Sequence, residues 1–142
     1  MKKWHSLTEG PLRLRGEDEW GSGAYGAARG ERTHRGIDIV AEPGVRVLSP
    51  INGEIVREAK PYEDDDSYGG ILICGAGSWQ DTEIKMFYLD GYKLGPVLAG
   101  EPIGVAQNLS MKYAGIINHV HLEVWQGDKP VDPTPFFADL LG

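Results

Sequence analysis

The sequence has a single cysteine, Cys74, in 142 residues. One cysteine excludes an intrachain disulfide, so a hydrophobic core must hold the fold. The sequence also lacks an apolar run long enough to cross a bilayer, which predicts no membrane insertion. At the N-terminus, Thr8, Glu9 and Arg13 interrupt what would be the apolar core of a signal peptide. No signal peptide is visible, so export would need another route or a signal already removed.

Basic residues are also in short supply. The chain has 14 Lys and Arg against 21 Asp and Glu, a formal charge of −7. Partners rich in phosphate recruit Lys and Arg, so this balance argues against nucleic acid and anionic membranes as partners. Twenty glycines and nine prolines, spread along the chain, leave little room for a long helix.

What the sequence does contain is a series of short β-like runs separated by Gly, Pro, Asn or Asp. Their spacing, with no amphipathic helix between them, predicts an all-β fold with little helix, an antiparallel sheet or sandwich. A helical turn is expected only at residues 135–141. Residues 1–30 have no clear period and are predicted to be an extended lead-in packed on a domain of residues 31–142. The predicted strands are 36–40, 45–48, 53–58, 70–74, 83–89, 103–106 and 119–125.

One run of acidic residues, 63–66, stands between Tyr62 and Ser67. A solvated loop tip between strands is its simplest interpretation. A calcium site is the alternative, although the alternating ligand spacing and the turn glycine of a calcium loop are missing.

Three of the four histidines lie in two short motifs, and the second motif falls in a predicted strand. Because residues at i and i+2 point to the same face, His119, His121 and Glu123 share one side, while Val120 and Leu122 face the core. Two imidazoles on one face can serve a single site, and Glu123 is placed to hold one of them. The alternative is a pair of exposed strand histidines with no site.

The first motif contains His34 and Asp38. Four extended residues span about 13 Å, so the two side chains can share a metal only if the chain bends, and Gly36 allows a bend. A surface His and Asp in a turn is the alternative. Taken together, two histidines and one aspartate make a three-ligand set of the catalytic zinc type, with the fourth position open to water and His119 beside it.

The order of motifs resembles the lysostaphin-type (LytM-like) zinc metallopeptidases, over about residues 30–137. Val131-Asp132-Pro133 resembles the turn that follows the last histidine strand in that family. The remaining matching segments are His34-x-x-x-Asp38, Pro43-Gly44 with Val47 and Pro50, Asn52-Gly53, Pro102-Ile103-Gly104 and His119-Val120-His121-Leu122-Glu123.

This resemblance implies a duplicated hybrid motif fold with one Zn²⁺ per chain. His34, Asp38 and His121 would be the zinc ligands, and His119 would be a catalytic histidine. The implied activity is a zinc endopeptidase, a hydrolase of peptidoglycan cross-bridge or stem peptides. Such a protein is expected to act as a monomer on the cell wall or outside the cell, in a bacterial or phage setting.

One residue departs from the family pattern. Members that are active usually carry a second catalytic histidine where this sequence has Tyr88, which could serve the site as a hydrogen-bond donor or be an ordinary half-buried strand aromatic. Tyr25 and Tyr113 could also line the cleft. Together with the segments Lys85-Met86-Phe87-Tyr88, Lys60-Pro61-Tyr62 and Gly23-Ala24-Tyr25, this substitution resembles the leukocyte cell-derived chemotaxin subgroup, whose members are regarded as zinc-binding but proteolytically inactive. The alternative function is therefore an inactive zinc-binding module that holds a peptide, glycan or protein partner.

Overall fold

The computed structural model describes residues 2–18, 20–22, 28–29, 32–33 and 36–142. Within these ranges the protein consists mainly of antiparallel β-strands, with one short α-helix, α1 (Thr134–Phe137), and two 3₁₀ turns at Gly77–Trp79 and Ala138–Leu140. None of the helices in the described ranges is long and apolar enough to cross a membrane. The all-β prediction is confirmed, as is a helical turn near the C-terminus.

The strands are short and follow one another closely along the chain. They are β1 (Glu17–Asp18), β2 (Gly21–Ser22), β3 (Ala28–Arg29), β4 (Arg32–Thr33), β5 (Ile37–Val40), β6 (Arg46–Leu48), β7 (Gly53–Glu58), β8 (Gly70–Gly75), β9 (Thr82–Phe87), β10 (Leu89–Asp90), β11 (Gly95–Val97), β12 (Pro102–Ala106), β13 (His119–Gln126) and β14 (Lys129–Val131). All seven predicted runs form strands. Six have ends that agree within one residue, and the run at 83–89 is divided at Tyr88 into β9 and β10.

The main sheet of the described residues has seven strands, in the order β11-β7-β8-β9-β13-β14, and β5 also pairs with β13. Along one edge of β13, its first half pairs with β5 and its second half with β14. A second sheet has three strands, in the order β10-β12-β6. β1 pairs with β2 and β3 with β4, both antiparallel.

The core lies under one face of the main sheet. On β13 the residues Val120, Leu122 and Val124 are at most 1% exposed, and they alternate with the polar residues of the opposite face. Burying a side chain of this size contributes about 1.5–3 kcal/mol to stability. The same alternation therefore anchors the strand and presents His119, His121 and Glu123 on its other side, as predicted from the sequence.

The N-terminal segment contributes to the same core. Trp4, Leu7 and Leu12 are buried and belong to the main hydrophobic cluster. Farther along, residues 13–15 run antiparallel to β5: the Val40 amide donates to the Arg13 carbonyl (2.8 Å), and Leu14 bridges to Ile39. The division of the chain at residues 30 and 31 stays a prediction.

Candidate metal centre and active site

The pairing of β5 with β13 brings two of the predicted zinc ligands together. In this antiparallel register Asp38 lies directly opposite His121. Directly opposite residues project from the same face of a sheet, so their side chains meet although they are 83 positions apart in sequence. The strand pairing therefore sets the distance between the carboxylate and the imidazole.

A carboxylate oxygen of Asp38 and a ring nitrogen of His121 lie close to each other. Asp38 Oδ1 lies 2.9 Å from His121 Nδ1. Two ligands of a tetrahedral zinc ion, each bonded at about 2.0–2.1 Å, are about 3.3 Å apart, so small adjustments would let this pair hold the ion. On the far side of the ring, Glu123 Oε2 lies 3.2 Å from His121 Nε2. A carboxylate in that position fixes the orientation of a metal-binding histidine.

The charges around His121 alter the pKa values of both partners. Burial lowers the pKa of His121, but the hydrogen bond to Asp38, the hydrogen bond to Glu123 and the charges of both carboxylates outweigh burial and raise it. The hydrogen bond from His121 lowers the pKa of Glu123. Phe87 stacks on the His121 ring, with centroids 5.5 Å apart. The imidazole is thus held by two carboxylates and one aromatic face.

His119 lies on the same face, deeper in the protein, at 3% exposure. Its Nδ1 donates to the Ile117 carbonyl (2.8 Å), which leaves Nε2 without the proton in the neutral ring. Nε2 points into the site, 3.5 Å from Asp38 Oδ2. Burial lowers the pKa of His119, so the ring is neutral at pH 7. This geometry suits a group that accepts a proton at Nε2.

Tyr88 stands between β9 and β10 and turns its ring toward His119. Among the described residues it is the one non-glycine residue with a positive φ, 75°. The ring meets His119 edge to face, with centroids 5.6 Å apart. Its hydroxyl lies 3.0 Å from that of Tyr62, and burial raises the pKa of Tyr88 to about 12. The phenol is therefore protonated near neutral pH, which makes it a hydrogen-bond donor and a poor base.

Tyr62 links Tyr88 to a neighbouring loop. Its hydroxyl also bonds to that of Tyr113, and the Lys112 ammonium lies 3.9 Å from the centre of the Tyr62 ring. Lys112 in turn pairs with Asp65 (3.2 Å). The acidic loop at 63–66 is mostly exposed, as expected of a solvated loop tip. One of its carboxylates nevertheless ties that loop to the loop carrying Tyr113.

Arg15 contacts the same site, although it was not predicted from the sequence. Its side chain is buried, with Nη1 donating to Asp38 Oδ2 (2.9 Å). Nε and Nη2 donate to the two oxygens of Asp18 (3.0 and 2.6 Å). Arg15 lies in a Gly- and Glu-rich segment with no periodic pattern, so no local feature of the sequence could have identified it.

Two predicted site residues, His34 and Tyr25, lie outside the described residues. Within the described part of the chain, no group of three or more His, Cys, Asp or Glu side chains is arranged to hold a metal ion. Asp38 and His121 are thus two of the three predicted ligands. The third predicted ligand is His34, which is not among the described residues. The assignment of these ligands, and of His119 and Tyr88 as catalytic residues, stays a prediction.

Comparisons with known proteins agree with the fold and with the motifs. Residues 32–133 match the description "Peptidase family M23". The chain is 35% identical over 108 residues to leukocyte cell-derived chemotaxin-2 from Bos taurus, an alignment that spans 75% of this chain and 69% of the relative. The chain therefore belongs to peptidase family M23, and the predicted lysostaphin-type and chemotaxin-like resemblances are confirmed.

Solved structures show the same fold at lower identity. The structure of LytU has a TM-score of 0.66 and 24% identity, covering 99% of this chain and 93% of that one. The antimicrobial peptidase lysostaphin from Staphylococcus simulans has a TM-score of 0.66 and 21% identity, covering 98% of this chain. The present chain spans only 55% of the lysostaphin chain. These likenesses establish a lysostaphin-like peptidase fold.

Proposed function

We propose that this chain is a zinc-dependent endopeptidase that hydrolyses peptidoglycan cross-bridge or stem peptides. The observation that carries the proposal is the meeting of Asp38, His121 and His119 on one face of the paired strands β5 and β13. Membership of peptidase family M23 supports peptide-bond hydrolysis as the reaction.

The proposed metal site takes one Zn²⁺ per chain. Asp38 Oδ1 and His121 Nδ1, which converge at 2.9 Å, would be two ligands, and His34 would be the third. Carboxylate oxygen and imidazole nitrogen are ordinary zinc donors, and three of them leave one position open. Zinc in such a site lowers the pKa of a bound water toward about 7 and polarises a substrate carbonyl.

His119 would move the protons of the reaction. As the water oxygen attacks the carbonyl carbon of the scissile peptide bond, a water proton passes to His119 Nε2, which is the nitrogen that faces the site. When the carbon–nitrogen bond breaks, His119 returns the proton to the leaving amine. The Ile117 carbonyl keeps the ring in the required tautomer by accepting from Nδ1.

Tyr88 would stabilise the negative charge that develops on the carbonyl oxygen. Its protonated hydroxyl can donate a hydrogen bond, as donors in an oxyanion hole do. It cannot share proton transfer with His119 as a second histidine would. The expected result is activity that differs in rate and pH dependence from that of an enzyme with two catalytic histidines.

The substrate class follows from the sequence resemblance to lysostaphin-type enzymes. Peptides of the cell wall lie outside the cytoplasmic membrane, so we propose action at the wall or outside the cell, as a monomer. The charge of −7 is consistent with a peptide substrate rather than nucleic acid.

A second candidate function is a catalytically inactive zinc-binding module that holds a peptide, glycan or protein partner. Tyr88 favours this function, because it replaces a catalytic histidine and its hydroxyl is engaged by Tyr62 at 3.0 Å. The 35% identity to a chemotaxin points the same way. The two functions differ in turnover rather than in metal content.

Turnover of purified, zinc-loaded protein distinguishes them. Peptidoglycan, oligoglycine and stem peptides are incubated with the protein, and the release of new amino groups is measured. The proposal predicts release by the parent and a loss of about 10²–10⁴-fold in His119→Ala, because a general acid–base group contributes that much.

His5→Ala is the matched control, since His5 is exposed and lies in the N-terminal segment outside the site. Its rate should equal that of the parent. No amino groups released from any substrate, together with wall or peptide binding that persists in His119→Ala, would reject the peptidase and support the binding module.

A further inference from the structure

Arg15 reaches the proposed metal site from the N-terminal segment, and its burial needs an explanation. A buried guanidinium is stable only when its donors are satisfied by charged or polar acceptors. Arg15 is 5% exposed, and its side chain donates to Asp18, to Asp38 and to the Gly21 carbonyl (3.2 Å). The contact to Asp38 is the one that touches a proposed zinc ligand.

The two carboxylate oxygens of Asp38 have different partners. Oδ2 accepts from Arg15 Nη1 at 2.9 Å, while Oδ1 lies beside His121 Nδ1. Asp38 is 2% exposed, and if it held a metal through Oδ1, its Oδ2 would still need a hydrogen-bond donor. Arg15 supplies that donor and thereby fixes the rotation of the carboxylate.

A positive charge next to a metal site would normally weaken cation binding, but here the charge is balanced. Asp18 forms a two-point ion pair with Arg15, through Nε at 3.0 Å and Nη2 at 2.6 Å. The hydrogen bond from Arg15 keeps the pKa of Asp18 far below its usual range, so Asp18 is ionised at neutral pH. The Arg15–Asp18 pair is therefore neutral as a whole, so Arg15 does not add a net positive charge beside Asp38.

The backbone places Arg15 in this position. The Arg15 amide donates to the Asp38 carbonyl (3.0 Å), next to the bridge between Leu14 and Ile39. Asp18 also accepts from the Trp20 amide (2.8 Å) and from the Ile117 amide (3.0 Å), just before His119. Both sides of the site are therefore attached to the N-terminal segment.

We propose that Arg15 is a positioning residue of the zinc site, which holds Asp38 through Oδ2 and couples docking of the N-terminal segment to zinc affinity. This inference rests on the proposed zinc site. The inference gives the segment before residue 22 a role in metal binding. Neither the fold nor the sequence motifs assign such a role to that segment.

The test is the zinc dissociation constant, measured by competition with a chromophoric chelator. Arg15→Gln should weaken zinc binding about 10–100-fold, as loss of a residue that supports a metal ligand does. Arg15→Lys should recover only part of the affinity, because an ammonium cannot bridge Asp18 and Asp38 as the planar guanidinium does. Asp18→Asn should also weaken binding, since it leaves the Arg15 charge unbalanced.

Arg13→Gln is the matched control, because Arg13 is exposed on the same segment and two residues away. Its zinc affinity should equal that of the parent within about twofold, the scatter expected of surface substitutions. The absorption spectrum of the Co²⁺-loaded protein gives a second readout: Arg15→Gln and Asp18→Asn should change its band shape, and Arg13→Gln should not.

The outcomes separate this inference from the proposed function. A parent that binds no zinc refutes the proposed site and the role of Arg15 with it. A parent that binds zinc, with Arg15→Gln binding equally or more tightly and with an unchanged Co²⁺ spectrum, overturns the role of Arg15 alone. Should Arg15→Gln fail to fold, as judged by circular dichroism, Arg15→Lys and Asp18→Asn give the same decision.

Discussion

Tyr88 has a backbone conformation that an ordinary strand aromatic does not need. A φ of 75° in a residue with a bulky side chain costs about 1–3 kcal/mol, and such strain is retained only where the surroundings enforce it. Here the Tyr88 amide donates to the Gly69 carbonyl (2.8 Å), and the Tyr88 carbonyl accepts from the Gln107 amide (2.9 Å). The conformation ends β9 and turns the ring toward His119.

Tyr88→Phe tests whether the hydroxyl acts on the substrate. If the hydroxyl donates to the developing oxyanion, its removal should lower kcat by about 10²-fold or more, the usual effect of losing one such donor. Stability should fall by only about 1 kcal/mol, because a single hydrogen bond to Tyr62 is lost. The measurements are steady-state kinetics on the best peptide substrate and urea unfolding.

Tyr92→Phe serves as the control. Tyr92 is a partly buried tyrosine that packs against the core and is not one of the site residues, so the variant removes a hydroxyl outside the site. A Tyr88→Phe variant with the kcat of the parent would assign Tyr88 a packing role only. Tyr88→His adds a further comparison, because an increase in rate would indicate that the site is built for a second histidine.

At the level of single residues, the sequence was informative where geometry is local. The i, i+2 rule correctly placed His119, His121 and Glu123 on one face of a strand. It could not identify Arg15 or the link from Tyr62 to Tyr88. The contacts of Arg15 with Asp38 and of Tyr62 with Tyr88 each join separate segments of the chain, and no periodic pattern in the sequence predicts them.

The pairing of β5 with β13 is the element on which the site depends. Gly36 comes just before β5, and the atoms around it explain why this position requires a glycine. A Cβ at this position would meet the Leu122 carbonyl oxygen and would lie 2.7 Å from His121 Cε1. The sequence suggested Gly36 as a flexible bend between His34 and Asp38; the structure adds that the chain passes too close to β13 for a larger residue.

Gly36→Ala should therefore disturb both the sheet and His121. We expect a loss of about 1–3 kcal/mol or more in the free energy of unfolding, as for other overpacked sites. Zinc affinity should fall as well, because the contact atom belongs to a proposed ligand. Urea unfolding and zinc competition measure the two effects.

Gly10→Ala is the control for that substitution. A Cβ at Gly10 meets nothing within 4 Å, so this variant should behave like the parent. If Gly36→Ala matched Gly10→Ala in both stability and zinc affinity, the close approach of β5 to β13 would have no influence on the site.

At the level of elements, most strands were predictable, but the two proline-containing strands at the ends of the main sheet were not. Apolar and β-branched runs marked β5, β7, β8, β9 and β13. The strands β11 and β14 each contain a proline, Pro96 or Pro130, which argues against a strand in the sequence. They are tolerated because both lie at ends of the main sheet order, where one side of the strand needs no hydrogen-bonded neighbour.

Across the whole molecule, the two ends of the chain pack together on the core. Trp4 stacks on Phe136 with centroids 5.8 Å apart, and its amide donates to the Phe136 carbonyl (2.9 Å). Leu12 bridges to Leu141. The segment that leads to Arg15 is therefore anchored at both the core and the site, which ties the geometry around Asp38 to the integrity of the fold.

Because the proposed ligands lie on different segments, zinc should bind the folded chain and stabilise it. Each motif alone left the alternatives of a surface turn or exposed strand histidines open. The two motifs together predicted a shared zinc site, and the family resemblance named its ligands. The structure brings Asp38 and His121 together, and the assignment of His34 awaits a direct test.

The zinc site is tested most directly by measuring bound zinc per chain after dialysis, in the parent and in His34→Ala, Asp38→Ala and His121→Ala, with His5→Ala as the control. We predict one zinc in the parent and in His5→Ala, and less than stoichiometric zinc in each ligand variant, because two ligands are too few for tight binding. A parent without zinc, or full retention of one zinc by all three ligand variants, would contradict the proposed metal centre.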